Sequence, residues 1–143
     1  MLETHTIEAL EARGISAETA SRLGWRSSRQ SDGSHWLTIP YFRDGKKVGA
    51  KHRTLAGEKR FIQDKGSEQC LYNLDCLKEA RGEPVVLTEG EMDCAIALQC
   101  GLLAVSVPNG APMRPVASAQ PKKYEYLKEL PDDAEIILAV DND

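Results

Sequence analysis

The sequence predicts an α/β protein in two parts, an N-terminal lobe of mixed helix and antiparallel strand and a C-terminal lobe built on a parallel sheet. Three observations support this prediction. An Asp-Gly pair separates two strand-like runs, strands and helices alternate after Pro84, and the net charge changes sign between the two parts. With 143 residues, the chain is long enough for two small lobes with a real core.

The chain opens with two short helical patterns. Thr6–Arg13 has an apolar side and begins with a threonine that can cap it, and Gly14 follows where glycine is favoured. The run Ser16–Gly24 repeats this arrangement, with Ser16 as the cap. Such a pair could form a helix-turn-helix DNA reader. Neither helix has a basic or amide-rich face, so a packed helical hairpin is the favoured prediction.

A β-hairpin is predicted around the Asp-Gly pair, Asp44 and Gly45. The strand-like runs "HWLTIPYF" and "KKVGAKHRTL" flank this pair, which is typical of a tight turn between antiparallel strands. On the second strand, a period of two places Lys51 and Arg53 on one face and His52 on the other. Of the nearby aromatic residues, Trp36 and Phe42 are expected in the core.

The rest of the N-terminal lobe contains shorter predicted elements. These are a polar loop at Ser28–Ser34, a third strand at Arg60–Gln63 and a helix at Leu74–Ala80. Gly82 and Pro84 then mark a boundary. The sequence therefore predicts a basic mixed α/β subdomain over residues 1–81 and a second domain over residues 82–143.

The second domain alternates strand and helix. The predicted order is strand Val85–Thr88, helix Glu91–Gln99, strand Ala104–Val107, helix Pro121–Leu130 and strand Ile136–Val140. Proline at the start of the second helix fits the first helical turn. An alternation of this kind predicts a parallel sheet covered by helices.

Charge is distributed unevenly along the chain. Residues 43–65 carry eight Lys and Arg against three acids, a net charge of +5, whereas residues 82–143 carry four basic residues against eleven acids, a net charge of −7. This asymmetry indicates one surface for a polyanion and another for cations. The four cysteines form no C-x-x-C pair, which argues against a zinc ribbon and favours small buried hydrophobes.

No apolar window is long enough for a membrane span, and the N-terminus lacks a signal peptide. A cytoplasmic protein without a membrane partner is therefore expected.

Carboxylates gather where predicted parallel strands end. Glu89 follows the first strand and Asp141 follows the last, and the carboxyl ends of parallel strands share one edge of the sheet. Asp93 and Asp143 can join them. Close carboxylates repel one another unless a cation lies between them, and oxygen ligands suit Mg²⁺. Each cluster also has a structural explanation, because acids stabilise a helix N-terminus and Asp is common in turns. Glu91 is expected to be a solvated helix residue.

The stretch "LTEGEMDCAIALQCGLLAVSVPNGA…IILAVDND" resembles a TOPRIM domain, the catalytic fold shared by DnaG-type primases, topoisomerases of types IA and II, and some nucleases. Glu89, Gly90 and Asp93 match its first motif, and Asp141 with Asp143 match its Asp-x-Asp motif. "IPYF", "GAKHR" and "KRF" resemble the basic subdomain that precedes TOPRIM in the primase part of bacteriophage primase–helicases. "LYNL" resembles the join between the two lobes.

This resemblance implies a DNA primase that joins ribonucleotides on a single-stranded DNA template, next to a helicase domain in the full-length protein. It implies Mg²⁺ or Mn²⁺ held by Asp141, Asp143 and Glu89, with Glu89 as general base or metal ligand and Asp93 as an accessory acid. Ribonucleoside triphosphates and the template backbone would contact four basic residues, Lys51, Arg53, Lys59 and Arg60. A solvated basic face is the alternative for each of these four.

Two departures from the family pattern leave other functions open. The chain lacks the zinc ribbon of such primases, and the TOPRIM fold is expected to continue past Asp143, so activity of this stretch alone is not implied. One alternative is a DNA-binding or assembly lobe of a replicative helicase that makes no primers. Another is a TOPRIM nuclease that uses the same metal site to cut a phosphodiester.

Overall fold

The structure is a computed structural model. It describes residues 1–109 and 121–142, and for residues 121–123 it describes the backbone alone. The chain forms two compact units, a first unit of Met1–Glu68 and a second unit of Gln69–Asp143. The first contains an antiparallel sheet and the second a parallel sheet, which confirms the predicted fold class.

The first unit consists of two helices followed by a four-stranded sheet of order β1-β2-β3-β4. Its elements are α1 (Thr4–Glu11), α2 (Ala17–Arg22), β1 (Arg26–Arg29), β2 (His35–Arg43), β3 (Lys46–Thr54) and β4 (Phe61–Gln63). All three strand pairs are antiparallel. The core of this unit includes completely buried apolar residues from the helices and from β2: Leu10, Ala20, Leu37 and Ile39.

The helix ends agree with the sequence in one case and differ in the other. Ser16 caps α2 as predicted, and its side chain accepts a hydrogen bond of 3.1 Å from the Thr19 N–H. In α1 the predicted cap, Thr6, is wrong, because the helix begins two residues earlier. Thr6 is buried inside the helix, and its hydroxyl accepts a 2.6 Å hydrogen bond from Ser27 of β1. That contact ties the helix to the edge of the sheet.

The β2–β3 hairpin turns at the predicted Asp-Gly pair. Asp44 has φ = +52° and Gly45 has φ = +73°, the left-handed values that a two-residue type I′ turn requires. Phe42, expected in the core, is 37% exposed, next to a register shift between Tyr41 and Phe42. β1 was not predicted, because Arg26–Arg29 does not alternate apolar and polar residues. It is a strand because it pairs with β2.

Gly49 lies where β3 meets the chain that follows β4. A Cβ at Gly49 would lie 2.5 Å from Ser67 Oγ, 2.6 Å from its Cβ and 3.1 Å from its Cα. We expect Gly49→Val to lower the free energy of unfolding by about 1–3 kcal/mol, because the added side chain would collide with Ser67 and overpack this contact. Urea denaturation would measure the loss. Adding Ser67→Gly should restore part of it, and a double variant as unstable as the single one would contradict this explanation.

The second unit has a three-stranded parallel sheet of order β6-β5-β7. Its elements are a 3₁₀ helix (Leu74–Glu79), β5 (Val85–Thr88), α3 (Glu91–Gln99), β6 (Leu103–Ser106), a kinked 3₁₀ segment (Pro121–Glu129) and β7 (Ile136–Ala139). Both outer strands run parallel to β5. The chain therefore passes from β5 to one side and then returns to the other side, so the strand order reverses at β5.

The central strand and one outer strand of this sheet differ in burial. β5 is buried along its whole length, but β7 is mostly exposed, with Leu138 66% exposed and Ile137 44% exposed. The sequence indicated an apolar strand at Ile136–Val140. β7 pairs with β5 on one side only among the described residues, which explains the exposure.

Residues 69–81 belong to the second unit by their contacts. Tyr72 forms a backbone bridge with Ser106, and the Asn73 side-chain amide donates a 3.0 Å hydrogen bond to the Ala104 carbonyl. The Cys76 thiol lies 3.5 Å from the same carbonyl, and burial raises its pKa to about 12. This segment therefore packs against β6. The predicted division into a basic subdomain over residues 1–81 and a second domain over residues 82–143 stays a prediction.

Candidate functional site

The carboxyl end of β5 is a fixed turn between a strand and a helix. Thr88, the last residue of β5, is buried, and its hydroxyl donates a 3.0 Å hydrogen bond to the Gly90 carbonyl. Gly90 then precedes the first turn of α3 in an extended conformation. Glu89 lies between these anchored residues and is half-buried. Its backbone position is therefore set by the fold.

Asp141 lies at the same edge of the sheet as Glu89. The register pairs Val85 with Ile136 and Thr88 with Ala139, so β5 and β7 run side by side and end together. Neighbouring strands are about 4.8 Å apart. Asp141 is exposed two residues beyond the end of β7. Asp143, the other predicted metal ligand, lies outside the described residues.

The first turn of α3 adds two more acids. Asp93 is exposed, and its Oδ2 lies 3.5 Å from where a Cβ would be at Gly90, so the carboxylate is close to the turn. Glu91 is only 4% exposed, so the expectation of a solvated side chain is wrong. Helical periodicity explains this, because Glu91 shares a face with the buried Cys94 and Ala95. That spacing was readable in the sequence.

The donor set at this edge suits a hard cation. Glu89, Asp93 and Asp141 offer only carboxylate oxygens, which is the ligand chemistry of Mg²⁺ and Mn²⁺. Within residues 1–109 and 121–142, their oxygens do not form a group of three all within 4.8 Å of one another. Mg²⁺ is commonly bound by one or two carboxylates together with waters and substrate phosphates. The residues present therefore fit such a site.

A cluster of cations surrounds one exposed aromatic ring in the first unit. Phe61 is 47% exposed, and its ring centroid lies 5.1 Å from Arg53 Cζ, 5.3 Å from Lys59 Nζ and 6.0 Å from Lys51 Nζ. The β3–β4 register pairs Arg53 with Phe61, and alternation along the strands places Lys51 on the same face. We call these four residues the Phe61 cluster. Sequence analysis did not single out Phe61.

Arg60 lies apart from that cluster. Its guanidinium is 5.2 Å from the ring of Trp36, which is buried as predicted. Strand alternation places Arg60 on the opposite face of the sheet from Phe61. The four basic residues predicted as one surface are therefore divided between two faces.

Arg53 and His52, neighbours on β3, contact different residues on opposite faces of the sheet. Arg53 is 8% exposed, although its charge lies next to the ring of Phe61. His52 lies 2.9 Å from the Thr38 hydroxyl and 2.7 Å from the Asp64 carboxylate. These contacts connect His52 of β3 to β2 and to the residue that follows β4.

The described helices include none that is both long enough and apolar enough to span a membrane.

Comparisons with known proteins point to primases. No family model matches the chain. The chain is 30% identical to a primase homolog protein of Arabidopsis thaliana over 145 residues, covering 92% of this chain and 41% of that relative.

Three solved structures are similar over nearly the whole chain. One shows the bacteriophage T7 lagging-strand DNA polymerase interacting with primase domains of two gp4 subunits bound to an RNA/DNA hybrid and dTTP (29% identity, TM-score 0.69, 93% of this chain, 65% of that chain). Another is the primase fragment of the T7 primase-helicase (26%, 0.67, 96% and 55%). The third contains the zinc-binding and RNA polymerase domains of the Aquifex aeolicus primase (15%, 0.70, 97% and 43%), and it shows the fold alone.

The chain spans less than half the length of the curated relative and about half to two thirds of the two T7 chains. Membership of the TOPRIM family stays a prediction. What the comparisons establish is that the structural neighbours of this chain are primase domains.

Proposed function

We propose that these residues form the DNA primase region of a bacteriophage-type primase–helicase, acting in the cytoplasm. The proposal rests chiefly on one observation. Glu89 and Asp141 follow two adjacent parallel strands at the point where the strand order reverses, which is where open α/β sheets bind their ligands. Similarity to the T7 primase domains supports the choice of reaction.

In the proposed reaction, the 3′-hydroxyl of a ribonucleotide attacks the α-phosphate of an incoming ribonucleoside triphosphate. An O–P bond forms, the bond to pyrophosphate breaks, and the hydroxyl proton passes to Glu89 or to solvent water. Glu89, Asp141 and Asp143 would hold Mg²⁺ or Mn²⁺, which would neutralise charge on the transferring phosphoryl group. Glu89 either helps to hold the ion or accepts the proton. Asp93 is the accessory acid and adds negative charge beside the turn.

The Phe61 cluster is the proposed contact for nucleic acid and triphosphates. An exposed ring can stack on a base, and Lys51 and Lys59, which lie 6.0 Å and 5.3 Å from its centroid, can contact neighbouring phosphates. Arg53 contributes positive charge to this surface although its side chain is buried. Arg60 would contact nucleic acid or triphosphates from the other face of the sheet. The proposed partners are therefore a single-stranded DNA template, ribonucleoside triphosphates and a helicase domain of the same protein.

A synthesis assay tests this function against its two rivals. The protein that contains this chain is incubated with single-stranded DNA, labelled ribonucleoside triphosphates and Mg²⁺. We expect short RNA products that require template and metal. Cut DNA without RNA products would instead identify a nuclease, and bound DNA with neither product would identify a lobe that makes no primers.

Magnesium should also stabilise this chain without any substrate. An ion that binds only the native state raises the melting temperature, and the rise should be small because nucleotide phosphates are missing from the shell. Millimolar Mg²⁺ in a thermal melt should show it. The double replacement of Asp141 and Asp143 with Ala should remove most of the rise. Melting curves that ignore Mg²⁺ would argue against a metal site in this chain.

A further inference from the structure

Two histidines and a glutamate meet near the N-terminus of the first unit. The ligand atoms of Glu3, His5 and His35 all lie within 4.8 Å of one another. Among the described residues, no other set of three His, Cys, Asp or Glu side chains meets this distance. Glu3 Oε2 is 3.4 Å from His5 Nδ1 and 3.8 Å from His35 Nδ1. Thirty residues separate the two histidines in the chain, so folding creates the cluster.

We propose that Glu3, His5 and His35 bind a divalent transition-metal ion of the zinc class. Two imidazole nitrogens and one carboxylate oxygen are ligands typical of Zn²⁺, and the remaining position is left for water. Zn–N and Zn–O bonds of about 2.0–2.1 Å in a tetrahedron place neighbouring ligand atoms about 3.4 Å apart. The two distances to Glu3 are already close to this value. The ion would clamp the start of α1 to the start of β2.

The backbone that carries these ligands is held in place. The Glu3 N–H donates a 2.8 Å hydrogen bond to Ser27 Oγ, and the Glu3 carbonyl accepts bonds of 3.0 Å from the N–H groups of Thr6 and Ile7. His35 is paired with Arg29 across the β1–β2 ladder. An ion would therefore order side chains but not backbone, which lowers the entropic cost of binding.

A second hydrogen bond orients one of the imidazoles. His5 Nε2 lies 3.2 Å from the Thr6 hydroxyl, which also accepts a hydrogen bond from Ser27. When His5 Nε2 carries the proton and donates it to Thr6, Nδ1 is left free to bind a metal. Outer hydrogen bonds of this kind commonly fix the tautomer of a metal-binding histidine.

The competing arrangement is an ion-pair network without a metal. Arg29 Nη2 lies 3.5 Å from Glu3 Oε2, and a protonated histidine would complete such a network. The Arg29 side chain is 63% exposed and can turn into solvent. Exposed ion pairs contribute little to stability, whereas three ligands on one ion form a much stronger contact. The two arrangements therefore predict different responses to Zn²⁺.

Zn²⁺ titration of the untagged protein separates the two arrangements. We expect one Zn²⁺ per chain by calorimetry, a rise in melting temperature that EDTA reverses, and no displacement by excess Mg²⁺. His5→Ala and His35→Ala should each weaken Zn²⁺ binding by at least about tenfold, since each removes one of three ligands. Glu3→Gln should weaken it as well.

His52→Ala is the matched control, because His52 is the third and last histidine of the chain. It should bind Zn²⁺ as the unaltered protein does. The altered histidines are exposed, so His5→Ala and His35→Ala should match the unaltered protein in melting temperature when EDTA is present. Binding weaker than millimolar in the unaltered protein, or equal losses in His52→Ala and His5→Ala, would overturn the proposal.

Discussion

Replacing Glu89 with Gln should abolish primer synthesis while leaving DNA binding unchanged. Glutamine keeps the size of the side chain and its place at the end of β5, but it loses the charge that holds a cation and the basicity that accepts a proton. Removing a group that acts as a general base costs about 10²–10⁴-fold in rate. Gel analysis of RNA products at saturating template would measure the loss.

Glu135→Gln provides a matched control for this prediction. Glu135 is exposed and precedes β7, at the opposite end of the same sheet. It undergoes the same change of charge and shape, and its backbone carbonyl still accepts the hydrogen bond from the Val85 N–H. Synthesis should persist in this variant. Normal primer synthesis by the Glu89 variant would contradict the assignment of Glu89 to the reaction.

Single-stranded DNA binding should separate into a charge component and a stacking component at the Phe61 cluster. Lys51→Gln with Lys59→Gln should reduce the slope of log affinity against log salt by about 1.4, since each phosphate contact on a single strand contributes about 0.7. Phe61→Ala should lower affinity by about 1–3 kcal/mol and leave the slope unchanged, because stacking does not release counterions. Fluorescence anisotropy across a salt series would measure both.

Two controls match these variants. Lys78→Gln with Lys128→Gln removes the same two charges from exposed positions in the second unit. Ile62→Ala removes a side chain that is 46% exposed beside Phe61, on the opposite face of the sheet. Neither should alter DNA binding. If the double lysine variant keeps the full salt slope, the cluster is an ordinary solvated surface.

Local sequence signals predicted the elements that depend on local chemistry. The Asp44-Gly45 turn and the Ser16 cap require particular residue types at particular places, and both are found. The alternation of strands and helices after Pro84 predicted the parallel sheet, and parallel pairing then brings Glu89 and Asp141 to one edge.

Features that depend on distant neighbours were not predicted. β1 has a polar sequence, Arg26–Arg29, and is a strand only because β2 pairs with it. The capping role of Thr6 was wrong because its hydroxyl bonds to Ser27 instead. Phe61 gained its cation neighbours through strand register, and the His5–His35 pair has no recognisable spacing in the chain.

The burial of cysteines was predicted in part. Cys70 and Cys94 are buried, and burial raises the pKa of the Cys94 thiol well above its usual value. Cys100 is exposed, although it was expected to be a buried hydrophobe. It directly follows the last residue of α3, at the C-cap of the helix.

Nuclear magnetic resonance with Mn²⁺ tests the central claim, that Glu89 and Asp141 hold one divalent cation. The measurement uses ¹⁵N-labelled protein without the two histidines of the N-terminal cluster, so that Mn²⁺ is not bound there. Substoichiometric Mn²⁺ should broaden the amide signals of Glu89, Gly90, Asp141 and Asn142 together, and Asp141→Asn should abolish the effect at Glu89. Broadening at neither strand end, or broadening at Glu89 that persists in Asp141→Asn, would contradict the shared site.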